Sequence, residues 1–254
     1  MIMRIVSVAT HKERMFDIFK LSAKKHDIPL DILGMGKKWK GFGWRWKLIS
    51  KHLEKIDDNE LILVTDAFDT IILKNADEFE KQFHAFHSPI VFSKDPNANE
   101  FIYLARYYRW RVFGEDPILN GGTYIGSCSA IKKFIKRIKY KNNTDDQRFL
   151  TSLNKMIHMT IDDTYKIMYH NVAWRKYKPM PDTCVVTFPA GGHTKKLLKH
   201  LGYDYNPKEE STIDAVTLAW RRIRHYTPFF WKEILVLMAI CTGITLPIML
   251  GILV

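Results

Sequence analysis

The chain has 254 residues, 46% of them hydrophobic and 13% aromatic, with 39 Lys and Arg against 27 Asp and Glu for a formal charge of +12. That length suits one α/β domain, or a domain with an appendage, and excludes a long repeat array; the apolar content excludes a disordered chain. The three scattered cysteines, Cys128, Cys184 and Cys241, form neither a disulfide framework nor a zinc spacing. No nucleic-acid recognition motif accompanies the charge, so no nucleic-acid partner is expected.

Ile5–Ala9 reads as a first buried strand, too short for a signal core and followed at once by His11-Lys12-Glu13-Arg14. A helix is expected from Glu13 to Lys25, with Phe16, Phe19 and Ala23 on one face. Leu30–Leu33 is a second short strand closed by Gly34. A loop rich in Gly, Trp and Lys (Gly36 to Trp46) precedes an expected helix from Lys47 to Lys55. Leu61–Val64 is wholly apolar, as a central parallel strand should be, and Ile90–Phe92 makes another. Ile131, Phe134, Ile135 and Ile138 give a helix over Ile131–Lys141 with one buried face and one cationic face. The alternation predicts a doubly wound sheet with helices on both faces.

The C-terminal part differs in kind. Ile213–Ile223 is amphipathic, with Val216, Ala219, Trp220 and Ile223 on one stripe. Ile234–Val254 then carries no charge. As a helix those residues would span roughly 31 Å, near the ~30 Å hydrocarbon core of a bilayer. A C-terminal transmembrane anchor is therefore expected, and Arg221, Arg222, Arg224 and Lys232 before it would hold the catalytic domain on the cytosolic side. The expected division is a domain over 1–210, a basic connector over 211–233 and the anchor over 234–254, with the lipid bilayer as a partner.

In doubly wound sheets ligands bind at the carboxyl ends of the strands. Thr10-His11 follows the first strand and Thr65-Asp66-Ala67-Phe68-Asp69-Thr70 the central one. Two carboxylates three residues apart can converge on one hard cation, with water and phosphate completing its shell. An isolated Asp-x-x-Asp is equally served by a helix-capping Asp66 and a solvated Asp69. Context decides between them: Leu119-Asn120-Gly121-Gly122-Thr123-Tyr124-Ile125-Gly126, Asp145-Asp146-Gln147-Arg148-Phe149-Leu150-Thr151 and Pro189-Ala190-Gly191-Gly192-His193-Thr194-Lys195-Lys196 follow, after Val8-Ala9-Thr10 and the Gly-Lys-Trp segment Leu33–Gly41. In this order they resemble the glycosyltransferase domain of the collagen lysyl hydroxylases, from about Ile5 to Tyr205. The length suits the compact stand-alone relatives of this domain found in large DNA viruses.

The resemblance implies a GT-A-like fold, a UDP-sugar donor and Mn²⁺, or Mg²⁺ in its place. On it Asp66 and Asp69 match the metal-binding Asp-x-x-Asp, Phe68 the aromatic residue against uracil, and Thr10 a nucleotide-contacting threonine. Trp39 and Lys47 match a loop that closes over the diphosphate, and Asp145 and Asp146 a segment lining the sugar and acceptor. Physical chemistry is consistent with these roles. A cation bridging both phosphates neutralises charge on the leaving UDP, Lys47 or Lys195 adds a point charge there, Gly121-Gly122 and Gly191-Gly192 admit a ligand close to the backbone, and Asn120 can serve sugar hydroxyls.

Three departures stand out. The family's third metal ligand, a His, aligns with Pro189, so either His193 supplies the ligand from a shifted loop or the metal has two protein ligands. After Ser93 the family's Cys-Trp-Pro is replaced by Lys94-Asp95-Pro96-Asn97. No hydroxylase domain is expected after it. The expected function is a membrane-tethered, metal-dependent glycosyltransferase moving glucose or galactose from a UDP-hexose to a hydroxyl of a glycan or hydroxylated peptide. Its rivals are an inactive UDP-sugar or glycan-binding module and a phosphohydrolase with Asp66 as nucleophile.

Overall fold

The computed structural model describes residues 2–94, 119–138, 140–142, 146–153, 159–171, 182–188 and 195–203. The chain divides into two compact units, 1–205 and 206–254, and all described residues belong to the first. In chain order the elements are β1 (Met3–Val8), α1 (Phe16–Lys25), β2 (Leu30–Leu33), α2 (Phe42–Leu53), β3 (Leu61–Val64), β4 (Thr70–Ile72), α3 (Ala76–His84) and β5 (Ile90–Lys94). Then come β6 (Leu119–Ser127), α4 (Cys128–Arg137), α5 (Asp146–Leu153), β7 (Thr160–Asp162), β8 (Met168–His170), β9 (Val185–Thr187) and α6 (Lys195–His200).

Six strands form the main sheet in the order β2-β1-β3-β6-β5-β7. β1 runs parallel to both β2 and β3, whereas β6 lies antiparallel to β3 and to β5. The α/β class and the central place of Leu61–Val64 agree with the expectation, but the sheet is mixed rather than wholly parallel. β4, β9 and β8 make a second, smaller sheet.

Both faces of β3 are covered, which is why its sequence does not alternate. Leu61 and Leu63 join Phe16, Phe19, Phe79 and Phe83 from α1 and α3, while Ile62 and Val64 join Trp46, Ile49, Ile131 and Phe134 from α2 and α4. Each such side chain, fully buried, contributes about 1.5–3 kcal/mol. A third cluster, with Met15, Ile71, Val186 and Phe188, sits at the small sheet.

Two helix boundaries differ from expectation for identifiable reasons. α1 begins at Phe16 rather than Glu13 because Arg14 has a φ of 52°, in the left-handed region that ends a right-handed helix. α2 begins at Phe42, so half of the supposed Gly-Trp-Lys loop is helical. Gly41, at a φ of 99°, makes the break instead, and Gly43, Arg45 and Trp46 extend the buried face of Ile49 and Leu53 back into what reads as loop. The basic helix keeps its buried Ile131, Phe134 and Ile135 but runs over Cys128–Arg137, capped by Ser127, whose hydroxyl accepts from Ala130 N at 3.3 Å.

The expected transmembrane helix is corrected. Among the described residues no helix is long and apolar enough to cross a membrane; α2, at 12 residues the longest, would extend about 18 Å against a ~30 Å hydrocarbon core. The bilayer as a partner and the tail-anchored, cytosol-facing location are withdrawn with it. Ile213–Ile223 and Ile234–Val254, on which those expectations rested, lie outside the described residues.

Candidate active site

β1 and β3 run parallel, so their carboxyl ends deliver Thr10 and the Asp66–Asp69 turn to the same edge of the sheet. The turn is held by hydroxyls. Thr70 Oγ1 donates to Asp66 O at 2.6 Å, Thr65 Oγ1 lies 3.0 Å from Thr70 Oγ1 and 3.1 Å from Thr123 Oγ1, and Ser7 Oγ donates to Thr65 O at 2.6 Å. Its far side is clamped by Met15 N donating to Phe68 O at 3.2 Å and Phe188 N donating to Asp69 O at 2.7 Å. Buried hydrogen bonds of this kind fix the backbone while leaving the acidic side chains to be set by their surroundings.

Those surroundings differ sharply. The Asp66 side chain is 52% exposed and lies 3.2 Å from Arg45 Nη2. Asp69 Oδ1 is buried without a hydrogen-bond partner among the described residues. Burial, reinforced by the Asp66 charge, pushes the Asp69 carboxyl up to about 7.

The centre of the site is a residue that the sequence reading passed over. Arg45, on the first turns of α2, is 3% exposed. Its Nη1 donates to Gly121 O at 3.1 Å and meets Asp146 Oδ2 at 3.4 Å; its Nη2 donates to Gly122 O at 2.8 Å. Burial would lower its pKa, but Asp66 and Asp146 outweigh that and raise it. The neighbouring Trp46 stacks on Tyr124 of β6, ring centroids 5.4 Å apart and planes 6° from parallel, which fixes α2 against the strand carrying the glycines.

Gly121-Gly122 makes room for carboxylates of this chain. A Cβ on Gly122 would stand 2.6 Å from Asp66 Oδ2 and 2.9 Å from Asn120 Oδ1, and one on Gly121 would stand 3.0 Å from Asp146 Cγ. Asn120 Oδ1 accepts from Gly122 N at 2.7 Å. Asp66, Asp146, Asn120 and the glycine pair are thus brought together around Arg45.

A second group stands at the exit of β1. Phe68 lies with its ring centroid 5.3 Å from His11 and 6.4 Å from Phe16. Thr10 Oγ1 is 2.9 Å from His11 Nδ1, and His11 Nε2 is 2.7 Å from Glu13 Oε2. The Gly-Lys-Trp loop reaches back through Gly36 N, which donates to Thr10 O at 2.9 Å. Trp39 remains 43% exposed, edge-on to Phe42 and Trp44. Lys47 is exposed and donates to Asn142 Oδ1 at 3.4 Å. Asp145, Gly191, Gly192 and His193 lie outside the described residues, as does the Lys195 side chain.

The family model described as the PLOD GT domain matches residues 2–174. The chain belongs to the PLOD glycosyltransferase-domain family. Similar curated proteins include procollagen-lysine,2-oxoglutarate 5-dioxygenase 1 of Bos taurus, 27% identical over 248 residues that cover 89% of this chain and 32% of that protein. Procollagen-lysine,2-oxoglutarate 5-dioxygenase 2 of Homo sapiens is 25% identical over 243 residues, 84% of this chain and 33% of that protein. The multifunctional procollagen lysine hydroxylase and glycosyltransferase LH3 of Pongo abelii is 26% identical over 240 residues, 80% and 31%. The chain spans about a third of the length of these relatives. As a PLOD-type glycosyltransferase domain it is an enzyme of the glycosyltransferase class.

Membership does not carry the more specific expectation with it. Among the described residues no group of three His, Cys, Asp or Glu could hold a metal ion, and the charged group beside Asp66 is Arg45. The function expected from the sequence, membrane-tethered and metal-dependent hexose transfer, is corrected to glycosyl transfer by a PLOD-type domain: among the described residues there is neither a membrane-spanning helix nor a three-ligand metal cluster.

Proposed function

We propose that the chain transfers a sugar from a UDP-sugar donor to an acceptor hydroxyl, with the donor lying across the exits of β1 and β3. The observation that carries this reading is the convergence of the Asp66–Asp69 turn and Asp146 on Arg45, beside the Phe68–His11 pair, in a PLOD-type domain. Phe68 offers a flat apolar surface to the uracil and Thr10 a hydroxyl. Asp146, with Asp145, serves the sugar and acceptor: it orients a hydroxyl, takes its proton, or stabilises positive charge developing on the ring. Asn120 adds polar contacts, and Trp39, Lys47, Lys195 and the Gly191-Gly192 pair belong to the proposed donor-binding segments.

Asp66 and Asp69 fit a divalent cation such as Mn²⁺ as a two-carboxylate pair, since Asp69 Oδ1 is a buried oxygen without a hydrogen-bond partner among the described residues and Asp66 is accessible. When bound, such an ion supplies positive charge to the diphosphate. His193 is proposed as a further ligand on the family resemblance of its sequence segment alone. The relatives' names point to procollagen lysine, and a hydroxylated peptide or a glycan is the acceptor class proposed for this chain.

The test is UDP release by the full chain from a panel of UDP-sugars, with and without Mn²⁺, for wild type and for Asp66→Ala combined with Asp69→Ala. Turnover that falls on the order of 10²-fold or more in the double variant is expected. Wild type that binds UDP yet releases none from any donor would make the chain an inactive binding module instead.

A further inference from the structure

We propose that Arg45 is a positioning residue for transfer: its guanidinium sets the placement of Asp146, on the acceptor side, relative to Asp66, on the donor side. This rests on the function proposed above. The two carboxylates come from elements 80 residues apart in sequence, the exit of β3 and the start of α5, and Arg45 touches both. Each terminal nitrogen serves one consecutive glycine carbonyl of β6 and one carboxylate. Nη1 takes Gly121 O at 3.1 Å and Asp146 Oδ2 at 3.4 Å, and Nη2 takes Gly122 O at 2.8 Å and Asp66 Oδ1 at 3.2 Å.

A planar fork can satisfy four acceptors in this fixed arrangement, whereas a lysine ammonium is one point charge on a flexible stem. The glycines belong to the same construction, because a Cβ on either would enter the space of the carboxylate beside it. α2 is in turn fixed by Trp46 stacked on Tyr124. The fork therefore sits on rigid elements, as a group that sets reacting geometry must. Neutralising buried charge would require only a cation near Asp146. Binding both carbonyls of one dipeptide as well specifies where each carboxylate lies.

The experiment compares wild type, Arg45→Lys, Asp146→Asn and the double variant as full chains, measuring thermal unfolding, UDP affinity and the kcat of UDP release. Arg45→Lys is expected to unfold within about 5 °C of wild type and to bind UDP within about threefold. Its kcat should fall on the order of 10²-fold, the scale of an ångström-size misplacement. Adding Asp146→Asn should cost no more than about another threefold, because both changes act on one group. An Arg45→Lys kcat within about threefold of wild type, or losses that multiply in full, would overturn the inference while the transferase reading stands. Wild type without turnover would remove both. Should Arg45→Lys fail to fold, Arg45→Gln with Asp146→Asn removes the facing charges together. Its kcat should then match Asp146→Asn alone within about threefold, and a larger loss overturns the inference.

Discussion

The two halves of the site are built in opposite ways. On the carboxylate side Arg45 is 3% exposed and Asp146 7%, and the Arg45 guanidinium holds two glycine carbonyls and meets both Asp66 and Asp146. On the base side the contacts are between exposed or half-buried groups: Thr10 with His11, His11 with Glu13, and the His11 and Phe68 rings. A buried charge network has little room to relax, so disturbing one member should be felt across it. An exposed aromatic and hydroxyl set can lose a member and still present a surface. Substitutions should therefore strike chemistry and stability on the first side and donor affinity on the second.

The largest effect should come from filling the space between the carboxylates. Gly122→Ala places a methyl group 2.6 Å from Asp66 Oδ2 and 2.9 Å from Asn120 Oδ1, both of which must move. Overpacking of this kind costs about 1–3 kcal/mol of stability. Turnover should fall to below about 1% of wild type, since displaced groups cost on the order of 10²-fold. UDP release and thermal unfolding measured on the same sample would check both. A Gly122→Ala enzyme with ordinary turnover would show that the position of Asp66 does not govern the reaction.

How much of this was legible in the sequence depended on range. Leu61–Val64 announced itself because a strand covered on both faces is apolar throughout, and the Asp66–Asp69 turn followed from where such a strand must end. The start of α2 is hidden because Gly41, Gly43 and the tryptophans resemble a loop, although Arg45 and Trp46 extend the buried spacing of Ile49 and Leu53 back into it. Arg45 was missed for the same reason. Read as part of a loop it is one of many exposed cations, and only its placement inside a buried stripe, one residue from Trp46, could have marked it. The role of Gly121-Gly122 was open to sequence only in part: close approach was foreseen, but that the approaching groups are Asp66 and Asp146 depends on β3 and α5 meeting over β6. The antiparallel setting of β6 had no local signature, since register between distant strands is a tertiary property.

A smaller effect should separate Asp69 from its neighbour by pH. Held at about 7, well above the ordinary carboxylate value, Asp69 retains in the folded state a proton that the unfolded chain has released. Its contribution to stability therefore falls as pH rises from about 4 to about 7. His170 opposes it. Buried at the small sheet, its Nδ1 against the Thr187 hydroxyl and its Nε2 without a hydrogen-bond partner among the described residues, it is pushed by burial down to about 3. The unfolded chain binds the extra proton below about 6.5, so this contribution rises with pH. Between about pH 4 and 6.5 the two offset each other in wild type. Asp69→Asn should leave the His170 slope alone, with stability climbing across that window and a higher thermal midpoint than wild type at pH 7. Denaturant melts at four or five pH values would show it, and an unchanged profile would mean that Asp69 ionises in the fold as freely as in the unfolded chain.

The smallest effect belongs to the base side and tests whether it is a surface for binding alone. Phe68 packs against Phe16 while one side of its ring meets His11, so truncation to Ala would confound lost packing with lost stacking. Phe68→Leu keeps apolar bulk beside Phe16 and removes the flat face. Stacking of a base on an aromatic ring is worth about 1–3 kcal/mol, and a partly buried ring such as this belongs near the lower end, so the UDP dissociation constant should rise about five- to tenfold. The thermal midpoint should stay within about 2 °C, and kcat at saturating donor should hold, because a contact made equally in the ground and transition states changes KM alone. His11→Ala should shift affinity in the same direction and by less, its ring meeting Phe68 and Thr10. If Phe68→Leu instead lowered kcat at unchanged affinity, the aromatic would be acting on the Asp66–Asp69 turn that carries it, and the division between a rigid chemical side and an open binding side would fail at that residue.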